Sequence, residues 1–167
     1  MAEAKELSPE RQEQRARNVL LHQLARSAKS AEQLRQILAK REINPQIAER
    51  VIDRFIEVGL IDDLLFAETM VSARRKFRGR SATVIRRELL QKGISKEICE
   101  QVLSSVTQED ELALACELAA RKINQMSKLE PEVRRRRLAG FLARKGFSSN
   151  IVSTALKQAE LALASQP

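Results

Sequence analysis

Three stretches of the chain carry one frame of apolar positions. With Ile43, Ile94 and Phe147 set in register, Leu34 and Leu38 fall on Ile85 and Leu89, then on Leu138 and Leu142. Downstream, Ile47 with Val51 falls on Ile98 with Val102, then on Ile151 with Ala155. Pairs four residues apart on either side of a short turn are the apolar faces of two helices. Ile43 and Ile94 lie 51 residues apart and Ile94 and Phe147 lie 53 apart, a period too long for the common helix-pair repeats and suited to three helices. The frame predicts an all-α chain, a tandem array of three three-helix repeats. The repeats are expected at residues 11–60, 61–106 and 107–164, after an N-terminal extension of residues 1–10.

Capping chemistry places the helix ends. Ser30 followed by Gln33 has the form in which side chains and backbone N–H groups satisfy each other, and Ser81 stands at the equivalent position of the second repeat. Asn44-Pro45 reads as N-cap and first residue of a third helix, with Ser95 and Ser148 as counterparts. Gly93 and Gly146 sit where the second helix must stop, the usual place for a left-handed cap. The first repeat has Glu42 there, so its turn is expected to be built differently. The first helices are expected at Ser8 to Ala28, Asp63 to Phe77 and Gln108 to Met126. They open with acidic residues and two close with basic ones, which complements the helix dipole. The second half of each repeat has the outline of a helix-turn-helix, although such pairs are commonly just packing units.

Composition agrees with the helical reading. The 167 residues include five Gly, four Pro, no Tyr and no Trp, against an all-β chain. Ala, Leu, Arg, Gln and Glu, the helix formers, dominate. The formal net charge is +8, which points to an anionic partner. Cys99 and Cys116 lack metal or redox spacing, so a reduced, cytoplasmic chain is expected. No apolar N-terminal leader or membrane-length apolar run is present, and a soluble protein with no membrane contact is expected.

Catalytic signatures are missing from the sequence. A lone His22 without partners, and no nucleophile elbow, phosphate loop or zinc motif, give no reason to expect an enzyme, a cofactor, a metal or a small-molecule substrate. Asp62-Asp63, at the head of a helix, reads as capping rather than as a ligand pair.

Charge distribution is more informative. Arg74, Arg75, Lys76, Arg78, Arg80, Arg86, Arg87 and Lys92 stand against Glu88 alone between Ser72 and Lys92. A second cluster, Arg134, Arg135, Arg136 and Arg137 with Arg144 and Lys145, faces Glu132. Two fates compete for these side chains. They form solvated faces and internal pairs with Glu109, Asp110 and Glu111, or they bind phosphates and acidic side chains through the planar guanidinium. With almost no acid nearby in sequence, binding is expected of the first cluster, while the second divides evenly. Phe77, among cations, invites base stacking. Yet Phe66, Met70, Ala73 and Phe77 recur as one helical stripe, so core packing is expected.

Several motifs in order carry a family resemblance. Leu60-Ile61-Asp62-Asp63 with Phe66-Ala67, then Arg78-Gly79-Arg80, then Ile85 through Ile94, and finally Arg136 through Phe147 strongly resemble RecX, the regulatory protein of the bacterial RecA recombinase. The resemblance spans about residues 10 to 160. It implies an elongated, curved, all-helical array that lies in the groove of the RecA filament and modulates it, with roles in DNA repair, recombination and the SOS response. The implied partners are the RecA filament and the phosphates of single- and double-stranded DNA, the implied form a monomer, and the implied contact face the two basic clusters. The alternative is a sequence-independent DNA- or RNA-binding protein of helix-turn-helix type. Against base-specific reading, the segments after the turns, Lys96 to Gln101 and Ser149 to Ser153, are acidic or small.

Overall fold

The structure, a computed structural model, describes residues 7–167. Nine α-helices and no strand occur among them: α1 (Pro9–Arg26), α2 (Ala31–Lys40), α3 (Pro45–Glu57), α4 (Asp63–Arg78), α5 (Ala82–Gln91), α6 (Lys96–Leu103), α7 (Gln108–Asn124), α8 (Pro131–Arg144) and α9 (Ser149–Ala164). They form three successive triads of a tandem three-helix repeat. The helix starts follow the expected caps. Ser30 and Gln33 close a full capping box on α2, Asn44 accepts from the backbone of Gln46 and Ile47, and Ser95 and Ser148 each accept from the residue three on. Asp62 caps α4 through the Leu65 N–H. His22 is exposed, Cys99 is buried, and the half-buried Cys116 thiol donates to Gln158 Oε1 at 3.2 Å.

The register residues form the interior. Leu34, Leu38, Ile85, Leu89, Leu138 and Leu142 are fully buried, and Ile43, Ile94 and Phe147 nearly so. The described residues divide into two compact units. One runs up to Glu68 and adds Leu89–Ile98; the other takes Thr69–Glu88 and Cys99–Pro167. Helices α4, α5 and α6 therefore contribute to both. The first core gathers Leu20, Leu34, Leu38, Ile52 and Phe55 from the first triad with Ile61 beyond it. The second gathers Ala115, Ala119, Ile123, Leu138, Leu142, Phe147 and Ile151 from α7, α8 and α9 and the turn between the last two.

The turn after the second helix corrects an expectation. Glu42 has φ 59°, Gly93 φ 81° and Gly146 φ 96°, so all three are left-handed. The hydrogen bonds repeat as well: Ile43, Ile94 and Phe147 donate to the carbonyls of Leu38, Leu89 and Leu142, and Glu42, Gly93 and Gly146 to those of Ala39, Leu90 and Ala143. This is one Schellman cap built three times. Glu42 makes the same turn as glycine, at the steric cost of a Cβ in the left-handed region.

Why two of the three positions are glycine follows from what packs on them. In the first unit the Ser30 hydroxyl donates to the Lys92 carbonyl, and a Cβ on Gly93 would run into Glu32. In the second unit the Ser81 N–H donates to the Lys145 carbonyl at 3.0 Å, and a Cβ on Gly146 would run into Ser81 and Val84. Both serines are fully buried. A carboxylate completes each joint: Asp63 accepts from the Ala31 N–H at 2.9 Å and Glu111 from the Ala82 N–H at 3.1 Å. The N-terminus of one triad's second helix is thus gripped by the next triad's first-helix acid and second-helix cap. Glu42 lies in the first of the three described triads, and it is exposed.

Two substitutions separate the backbone cost from the packing. Glu42→Gly is expected to raise stability by about 1 kcal/mol, because it removes a left-handed penalty of ~1–2 kcal/mol and returns part of it as chain entropy. Gly146→Ala is expected to cost about 3 kcal/mol, since steric overlap adds to the same penalty. Denaturant midpoints at constant m-value check both. An equal and small effect at the two positions would show that only the backbone angle matters.

Candidate functional site

The basic residues of the first cluster have separate fates. Arg74, Arg75, Lys76 and Arg78 lie in the C-terminal half of α4, Arg80 in the turn, Arg86 and Arg87 on α5, and Lys92 just beyond it. The near absence of neutralisation expected from sequence is corrected for three of them. Arg74 makes a two-oxygen fork with Glu88, its Nε at 3.0 and 2.9 Å. Arg75 pairs with Glu111, with side chains only 17% and 11% exposed. Arg86 meets Glu100 at 3.1 Å on the surface. Hydrogen bonding to Glu88 holds the Arg74 guanidinium above its already high ordinary pKa, against the opposing effect of burial. The pairing between Arg75 and the acidic opening of α7 is the internal alternative read from the sequence.

What these pairs leave over is a group of cations at one end of the second unit. A cleft of about 390 Å3 is lined by Arg75, Lys76, Phe77, Arg78 and Gly79 from the end of α4, by Leu114, Glu117, Leu118 and Arg121 from α7, and by Lys145 after α8. Lys145 donates to the Arg78 carbonyl at 2.8 Å, and Arg80 to the Arg144 carbonyl at 3.2 Å. The Lys145 ammonium also stands 5.5 Å from the centre of the Phe141 ring, and Lys122 stands 5.3 Å from it. Burial pushes the Lys145 pKa below the ordinary lysine value, and the charges of Arg80, Arg78 and Lys122 push it further. Like charges held together around a concave surface favour an anion between them. The Glu117 carboxylate in the cleft is engaged by Arg121 at 3.2 Å.

The second cluster is similarly divided. Arg135 pairs with Glu160 at 3.1 Å. Arg134 turns inward, one guanidinium nitrogen donating to the Leu129 carbonyl at 3.3 Å and its buried Nε without a partner among the described residues. Arg136, Arg137 and Arg144 are exposed. Arg137 borders a second cavity of about 580 Å3 with Lys122 and Lys128. Lys92 lies in the other compact unit and is half-buried. Arg87 is exposed and has no ion-pair partner among the described residues.

Two features of the cleft escaped the sequence reading. Arg121, which lines the cleft, stands in the last turn of α7, where complementing the helix dipole was explanation enough for it. Phe77 is the sharper case, because it is 77% exposed and not in the core. The buried face of α4 runs through Ala67, Met70 and Val71, and at the helix end it has turned away from the stripe that joins Phe66 to Phe77.

Comparison with known proteins places this arrangement in a family. The models of the RecX first, second and third three-helix domains match residues 16–55, 62–103 and 109–156. The chain is 38% identical over 146 residues to the regulatory protein RecX of Streptomyces coelicolor, covering 87% of this chain and 78% of that one. It is 32% identical over 153 residues to that of Amycolatopsis mediterranei, covering 92% and 87%. Its fold is similar to the crystal structure of RecX from Lactobacillus salivarius, with a TM-score of 0.78, 23% identity, and coverage of 90% and 97%.

The internal pairs generate a stability prediction. Glu111→Ala removes the partner of a half-buried arginine and the acceptor of the Ala82 N–H together, and is expected to cost about 3 kcal/mol. Arg87→Ala should leave the urea midpoint unchanged. A Glu111→Ala protein as stable as the parent would show that the pair adds nothing to the joint.

Proposed function

The chain belongs to the RecX family of regulatory proteins, and on that premise we propose that it binds a RecA recombinase filament on DNA and restrains its activity. The observation that carries this reading is the set of cations in the second unit with no carboxylate partner among the described residues, above all Lys76, Arg78 and Lys145 around the α4–α7 cleft. A nucleoprotein filament offers such a surface both phosphates and acidic protein faces. Guanidinium groups bind either through paired hydrogen bonds, and phosphate contacts of this kind position a protein without reading sequence. The action needs no bond-making chemistry: occupying a filament end or groove is enough to alter many subunits.

The test is the DNA-dependent ATPase of a RecA recombinase, followed against the concentration of this protein at two DNA concentrations. Suppression is expected well below one molecule per recombinase subunit, with little dependence on DNA. Inhibition that appears only near DNA saturation, and is relieved in proportion to added DNA, would instead establish the plain nucleic-acid binder. Charge reversal at Lys76, Arg78, Arg87 and Arg137 should abolish the suppression without unfolding the chain, because these four make no internal ion pair among the described residues.

A further inference from the structure

We propose that the α4–α7 cleft is a single-stranded nucleic-acid site in which Phe77 stacks on a base while Lys76, Arg78, Arg121 and Lys145 hold the flanking phosphates. The inference deepens the proposed regulatory reading, since it names the component of the filament that this cleft would take and the atoms that take it.

Exposure carries the first step. A phenylalanine 77% open to water at the end of a helix adds nothing to the core that formed the helix. Its ring has two faces, and the Lys76 ammonium stands 5.3 Å from the ring centre, polarising it without enclosing it. Around the ring the cleft supplies Arg78, Arg121 and Lys145, with Glu117 as its lone carboxylate and that one held by Arg121. An aromatic side chain surrounded by cations is the arrangement that holds single strands, where stacking accepts any base and the charges follow the backbone.

Charge and shape decide between occupants. A protein partner needs a contiguous apolar centre to bury, and here the apolar walls, Leu114 and Leu118, are half-buried beside a single exposed ring. Duplex DNA offers phosphates but keeps its base faces stacked, so it would leave Phe77 unused. A single strand presents both phosphate and an open base face. The Lys122 and Lys145 ammoniums, on the ring of Phe141 at 5.3 and 5.5 Å, join this cleft to the second cavity, which Lys122 borders with Lys128 and Arg137. The cationic surface thus continues beyond one nucleotide.

The chain has no tryptophan and no tyrosine, so Phe77→Trp places its sole tryptophan fluorophore at the proposed stacking position. Titrating that variant with a thymidine oligonucleotide should quench its emission, and a duplex of equal length should leave it little changed. In anisotropy titrations, Phe77→Ala should weaken oligonucleotide binding about tenfold while duplex affinity stays within about twofold. Phe77→Trp should restore the affinity. Oligonucleotide binding without quenching, or equal losses for strand and duplex in Phe77→Ala, would overturn the proposal. Quenching by DNA-free recombinase and not by the oligonucleotide would overturn it in favour of a protein contact. The ATPase assay keeps the two readings apart: a Phe77→Ala protein that binds single strands normally yet still suppresses the recombinase would remove the stacking site and leave the regulatory function standing.

Discussion

One contact recurs where triads meet, and the positions of the other groups follow from it. The N-terminus of a second helix arrives with four unsatisfied N–H groups and a partial positive charge. Ser30 and Ser81 cap it while fully buried, and Asp63 or Glu111 accepts a further N–H from outside the triad. Burial of such polar groups is tolerated only because each has its partner. The glycine at the facing helix end makes the approach close enough for that pairing, so a backbone feature, a side-chain cap and a carboxylate depend on one another. Removing any of them strands the others in a dry contact.

The sequence discloses the features that are local. Apolar residues four apart on either side of a turn are set by helix geometry alone, and all nine positions that frame the second helices and their turns are buried. Caps are likewise read within three or four residues. Glu42 was misread because the glycine of its counterparts suggested a backbone requirement; the backbone is the same in all three turns, and the glycines at 93 and 146 are demanded by residues of the preceding triad that pack on them. That demand comes from residues such as Glu32 and Ser81, some sixty positions away in the chain. No local pattern contains it.

Charge pairing is hidden for the same reason. The arginines at 74, 75 and 86 find carboxylates 14, 36 and 14 residues away, on other helices, while the run of basic residues around them reads as unneutralised. Phe77 fails differently. Its stripe is helically spaced, but a stripe shows only which residues share a face and not whether something covers that face at its last turn. On α4 the buried positions end near Val71 and the half-buried arginines, and the ring beyond them is left in water.

The joint and the basic surface are therefore consequences of one arrangement of charge. Glu111 closes the joint at the Ala82 N–H and also takes up Arg75, so the acid that orders the backbone removes the innermost cation from the surface. Asp63 serves the other joint and makes no ion pair with an arginine among the described residues. The cations that remain in the second unit are those beyond the reach of a structural carboxylate, and Lys145, with its carbonyl committed to Ser81, is held by that joint beside Arg78 and Arg80. Repulsion among them is a cost that folding of the second unit must carry. It is relieved when an anion enters, which makes the least neutralised part of the molecule the part with the most to gain from a partner.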